Sequence, residues 1–211
     1  MERGLRVMVL GLLLAGLAGC GSTTTSAHTD VQAEDKLREI LNKDPALPDG
    51  FSARAQQAWR VPFAPGSREC RAVLGPAGGH APRRALTAQA AASYQGDGLG
   101  EVLAVGLARY AGSEAEGHLD DLGKALRECR GMRAEDGTDL RLMPLAIRGV
   151  GDEAVGGELR GRLNGYPYAL DVMLVRTGDT LVSVVHTGIA DVDQEMTRRL
   201  LGAVLGMARP D

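Results

Sequence analysis

The chain has 211 residues, an apolar fraction of 44%, only 3% aromatic residues and a formal net charge of −3. That length allows one domain with a core of Val, Leu, Ala and Met rather than of rings. Both charge signs are interspersed without a cationic stripe, which excludes the electrostatic footprint of a nucleic-acid binder.

The amino terminus reads as a secretory signal peptide. Arg3 and Arg6 precede an apolar run from Val7 to Leu17, and small residues follow it. The run is too short for a spanning helix, which needs roughly 20 apolar residues. Leu17-Ala18-Gly19-Cys20 resembles the bacterial lipobox, in which the thiol receives a diacylglyceryl group and cleavage occurs just before it. The expected layout is a signal peptide over 1–19, a lipidated flexible tether over 20–30 and an extracytoplasmic domain over 31–211. Cys20 would then anchor the chain to the cell membrane on its outer face, its paired acyl chains (palmitate among them) giving the stable attachment that one chain cannot.

Asp30 is placed to cap a helix from Val31 to about Asn42, with Leu37, Ile40 and Leu41 on one face and Asp44-Pro45 as its stop. A turn at Leu47-Pro48-Asp49-Gly50-Phe51 leads to an expected first strand, Ser52 to Val61. A short helix is expected around Cys70, then an exposed Gly/Pro-rich basic loop from Gly75 to Arg84. Ala85–Tyr94 and Gly100–Tyr110 read as a hairpin around Gly96-Asp97-Gly98. Ser113-Glu114-Ala115-Glu116 fits a capping box, and Leu119, Leu122 and Leu126 give a helical stripe ending near Cys129.

The last third reads as four strands in series: Asp139–Ile147, Ala154–Leu163, Tyr166–Arg176 and Thr180–Thr187. Asn164-Gly165 and Thr177-Gly178-Asp179 supply tight turns. The spacing of Leu170, Val172 and Leu174, and of Leu181 and Val184, indicates strands with one buried face. A closing helix is expected from Val192 to Met207 with Asp191 as its cap. These short connections favour an α+β fold, a single domain in which helices pack against an antiparallel sheet of about five to seven strands.

With Cys20 lipidated, Cys70 and Cys129 remain, and outside the cytoplasm two such thiols pair. The loop between them is long enough for a bridge to add about 4 kcal/mol by the chain-entropy model. Neither a Cys-x-x-Cys nor a histidine at ligand spacing supports a redox or metal pair.

Several of these features together resemble the PknH-like extracellular sensor domain family of actinobacteria, found fused to receptor kinases and as free lipoproteins. They are Cys70 after a Pro-rich approach, Ser93-Tyr94 closing a strand, the strand Glu101-Val102-Leu103-Ala104-Val105 and the helix end Leu126-Arg127-Glu128-Cys129. The meander Gly151-Asp152-Glu153-Ala154, Tyr168-Ala169-Leu170-Asp171-Val172 and Val175-Arg176-Thr177-Gly178-Asp179 then leads to a terminal helix. The resemblance spans about Ala46 to Arg209. It implies an antiparallel sheet flanked by helices around a ligand cleft. The kinase-linked form carries two disulfides, whereas this chain has cysteines for one.

No nucleophile motif marks an enzyme: there is no Gly-x-Ser-x-Gly, and Ser93, Ser113 and Ser183 have no recognisable context. His186 reads as a partly buried strand-end histidine, and His118 as a surface residue in an acidic helix turn. Asp120 and Asp121 point in different directions on that helix. Gly149–Gly157 reads as a bend between strands, since it lacks the Lys-Ser/Thr of a phosphate loop. Arg148, Arg160, Arg162 and Arg176, with His186, are the candidates for a ligand cleft, against the plainer reading of solvent-facing arginines. No catalytic residue, cofactor or metal is expected. The function expected is that of a membrane-anchored ligand-binding or sensor-like module whose partner is a small ligand or an envelope protein. The alternative is a lipid or glycolipid carrier with an apolar cavity.

Overall fold

A computed structural model of the chain describes residues 30–43 and 45–208. The lipobox, Cys20, the tether up to Thr29 and Asp44 lie outside the described residues. No helix among the described residues is long and apolar enough to cross a membrane.

Four helices and seven strands follow one another: α1 (Val31–Asn42), α2 (Arg68–Leu74), β1 (Leu86–Gln95), β2 (Val102–Tyr110), α3 (Glu114–Glu128), β3 (Gly131–Arg133), β4 (Asp139–Pro144), β5 (Glu153–Leu163), β6 (Tyr166–Thr177), β7 (Thr180–Gly188) and α4 (Gln194–Ala208). The strands form one antiparallel sheet in the order β1-β2-β7-β6-β5-β4-β3. α3 carries the chain from β2 to the far edge, and the β3–β7 meander returns until β7 lies beside β2. The α+β class and the helix-flanked antiparallel sheet are as expected.

Local chemistry accounts for most boundaries. Asp30 accepts from the amides of Gln32 and Ala33 and so caps α1. Ser67 caps α2 through the amide of Cys70. Asn164 (φ 51°) and Gly165 (φ 82°) take the left-handed conformations that a two-residue hairpin needs. Cys129 caps the C-terminus of α3 and is bonded to Cys70, 59 positions earlier, fixing α3 to α2. Such a bridge belongs to an oxidising compartment.

The helices divide between the two faces. α2 and α3 cover one, packing on Leu170, Val172, Leu174, Leu181 and Val185. α1 and α4 cover the other, over Leu103, Val105, Met173, Val182 and Val184. The central strands are therefore buried on both faces, not on one. Every residue of β7 is buried. Leu181 and Val184 lie in opposite cores, as odd and even strand positions must.

Other expectations are corrected. Ser52–Val61 forms no strand; it runs beside the end of β1 through the bridges Phe51–Gly96 and Gln56–Ser93, with the Ser52 amide donating to the Gln95 carbonyl and the Ser93 hydroxyl to the Gln57 carbonyl. Its Ala-Arg-Ala-Gln-Gln run offers no apolar face to bury, and it screens an edge strand intermittently instead. β4 ends at Pro144, and β3 is an additional short strand. The 75–84 segment is not simply an exposed loop: a 3-10 turn at Pro76–Gly78 places Pro76 and Ala77 in the core against Gly106. Ser113 makes no side-chain cap, so the capping box does not form; Glu114 pairs with Arg84 instead. The cap of α4 is Asp193, whose carboxylate accepts from the amide of Glu195, while Asp191 turns towards Arg160.

Candidate functional site

A buried line of polar side chains crosses the α4 face of the sheet. His186 on β7, Asp171 on β6 and Thr197 in the first turn of α4 are each 1% exposed or less. His186 Nδ1 lies 2.8 Å from Thr197 Oγ1, and His186 Nε2 lies 3.1 Å from Glu101 Oε1. Thr197 Oγ1 is also 3.0 Å from Asp171 Oδ2 and 3.0 Å from the carbonyl of Asp193. Strand register brings the line together: Leu103 faces His186, and His186 faces Asp171. Phe51 closes over the imidazole edge-on, at 5.6 Å between ring centroids.

Proton counting constrains this line. With the Glu101 carboxylate at Nε2, that nitrogen carries a proton and donates. A neutral His186 then competes at Nδ1 with Asp171 Oδ2 and the Asp193 carbonyl for the one proton that Thr197 can give. Burial pushes the Asp171 carboxyl up to about 6, against the opposing hydrogen bond from Thr197. Its Oδ1 has no hydrogen-bond partner among the described residues. Burial likewise holds the His186 imidazole below its ordinary value, against the pull of Glu101.

The line continues laterally. Glu158 pairs in register with Asp171, accepts from Gln194 Nε2 at 2.8 Å and holds Arg160, which also holds Asp191. Arg160 in turn keeps the exposed Asp191 carboxyl below the usual range.

Next to Thr197 a cavity of about 240 Å³ opens between residues 145–150 and α4. Leu145, Ile147, Val150, Met173 and Leu201 make apolar walls; Thr197 contributes a polar wall, and Arg148 is at the rim. A second hollow reaches the other end of the line, where Glu101 and His186 meet the exposed Leu99 and Ile189.

The structure does not gather the four cleft arginines. Arg148 lines the cavity. Arg160 and Arg162 share the α4 face, but Arg160 is ion-paired and Arg162 donates to the carbonyl of Gly165. Arg176 stands on the opposite face, in register with Leu181, and pairs with Asp152. His186 is fully buried rather than partly, and is joined to the cavity through Thr197. His118 is not a surface residue: it is buried against Tyr110, with Nε2 2.8 Å from the carbonyl of Arg84.

Asp171, Thr197 and Glu101 were not singled out from sequence. The one signal was a carboxylate inside the apolar run Ala169-Leu170-Asp171-Val172-Met173. Thr197–His186–Glu101 has the connectivity of a nucleophile, a base and an orienting carboxylate. However, Thr197 Oγ1 is already engaged by three protein groups, the arrangement of a strut tying α4 to two strands. Among the described residues no cluster of three or more His, Cys, Asp or Glu could hold a metal.

No family model matches the chain, and no curated protein matches it. Among solved structures, it is similar to the crystal structure of the extracellular domain of PknH from Mycobacterium tuberculosis, with a TM-score of 0.43 and 10% identity. The match covers 58% of this chain and 65% of that chain, slightly under two thirds of its length.

Proposed function

We propose that the protein is a membrane-anchored extracytoplasmic lipoprotein, a ligand-binding or sensor-like module of the cell envelope rather than an enzyme. Its ligand seats in the cavity between residues 145–150 and α4. The observation that carries this reading is the joining of that cavity to the buried polar line through Thr197. A ligand touching Thr197 competes for its single proton and so alters the tie between α4 and the sheet. A volume of about 240 Å³ lies below the roughly 300–1,000 Å³ of drug-sized pockets, which favours a small ligand over the acyl chains of a lipid carrier. The lipobox at Cys20 and the Cys70–Cys129 bridge support the address.

Native mass spectrometry of protein purified from its own host tests the ligand. A retained small mass, absent from Ala146→Trp, is expected, because Ala146 is an exposed residue lining the cavity. A bare wild-type mass refutes occupancy and moves the weight to a protein partner. Cys20→Ser tests the anchor: it should abolish palmitate labelling and release the chain from the membrane fraction.

A further inference from the structure

Taking the cavity beside α4 as the ligand site, we propose that its outer wall, residues 145–150, is a hinged strap that opens to admit the ligand, with Ile147 as its latch. The link between β4 and β5 runs from Leu145 to Asp152, although these strands are hydrogen-bonded neighbours that roughly two to five residues could join. The surplus does not project into solvent. It lies along the sheet, where Leu145, Ile147 and Val150 pack on the core that α1 and α4 cover, while Ala146 and Arg148 stay exposed. Half of the residues lining the cavity belong to it, and the rest to β6 and α4.

The two walls of the cavity are held differently. α4 is tied to the sheet by hydrogen bonds, between Thr197 and both Asp171 and His186 and from Gln194 to Glu158. The strap is bonded only at its ends, through the amide of Leu145 to the carbonyl of Gly156 and the amide of Asp152 to the carbonyl of Arg176. Among the described residues, nothing from Ala146 to Gly151 makes a hydrogen bond or an ion pair. A segment held by apolar contacts alone belongs to the part of a protein that opens locally. Ile147 supplies the main hold. A Cβ on Gly156 would lie 2.5 Å from Ile147 Cδ1, so Ile147 seats in the notch that this glycine leaves. Gly156 stands opposite Met173, which lines the cavity yet is only 1% exposed. Withdrawing Ile147 from the notch therefore uncovers Met173. A Cβ on Gly149 (φ 69°) would meet nothing within 4 Å, which makes it the free pivot, next to Gly151 wedged against the carbonyl of Arg176.

The rate at which methyl methanethiosulfonate labels Met173→Cys in the full chain, read by peptide mass spectrometry, tests the strap. The reference is Leu174→Cys, at the next position, equally buried but in the core under α2 and α3. Labelling at position 173 should be at least about tenfold faster and flat in dilute urea, because a local opening exposes little surface. Labelling at position 174 should climb with urea, since it waits for a larger unfolding. Ile147→Ala removes a contact that opening must break, and should speed labelling at position 173 by at least about threefold. Gly156→Ala, which expels Ile147 from its notch, should do the same. Val73→Ala, which weakens only the opposite core, should leave that rate within about twofold. Three results would each overturn the proposal: a rate at position 173 that climbs with urea as at 174, one indifferent to Ile147→Ala, or one that Val73→Ala speeds as much. No ligand enters this assay, so a fixed strap and an unoccupied cavity give separate results.

Discussion

Replacing Asp171 with asparagine should stabilise this protein at neutral pH, although the aspartate is buried and hydrogen-bonded. The carboxyl is 0% exposed, its Oδ1 is unpartnered among the described residues, and Glu158 lies beside it in register. Burial, opposed by Thr197 and assisted by Glu158, raises it from an ordinary 3.8 to about 6. Because the folded value is the higher one, the stability this group contributes is full below about pH 4 and is lost as pH rises through about 6. Integrated, the loss is on the order of 1 kcal/mol by pH 5 and about 3 kcal/mol by pH 7. Asparagine does not titrate, and its Oδ1 can accept from Thr197 as Asp171 Oδ2 does. Any constant effect of the substitution cancels when two pH values are compared. The advantage of Asp171→Asn over the wild type should therefore grow by about 2 kcal/mol from pH 4 to pH 7. Urea unfolding at several pH values within that range measures it. A difference that stays flat with pH, or shrinks as pH rises, would refute the assignment of a proton-binding Asp171 to this line.

Three other outcomes are expected. Cys70→Ser with Cys129→Ser opens a loop of 59 positions and should cost about 4 kcal/mol, read as a lower urea midpoint matched by reduction of the wild type. At Gly106 an added Cβ would stand 1.9 Å from the carbonyl oxygen of Pro76, so Gly106→Ala must push the 3-10 turn off β2. The cost should be about 3 kcal/mol, seen in the thermal midpoint, and a silent variant would contradict the close approach. Tyr94→Phe removes the hydroxyl that donates to the carbonyl of Leu41 at 2.6 Å. Hydrogen exchange should accelerate in the last turn of α1, with a loss of about 1–2 kcal/mol.

The amino-acid sequence by itself determined the parts whose causes are local. Asp30 before an amphipathic run is enough to start α1, and Asn164-Gly165 is enough to turn β5 into β6, because a cap or a positive φ concerns only a few adjacent residues. The proposed lipobox reading rests on the same kind of signal, a short motif around Cys20. Tertiary structure decided what depends on distant groups. Ser52–Val61 has a plausible strand composition but meets β1 at only a few points, and it packs Trp59 and Val61 on the core from outside the sheet. His118 reads as polar until Tyr110 and the carbonyl of Arg84 enclose it. The arginines that sequence grouped on neighbouring strands are separated by strand alternation, which sends Arg160 and Arg176 to opposite faces. The polar line joins Glu101 to His186 across 85 positions and Asp171 to Thr197 across 26. No window of sequence contains such a pairing; it exists because β7 returns to lie beside β2 and α4 folds back over both.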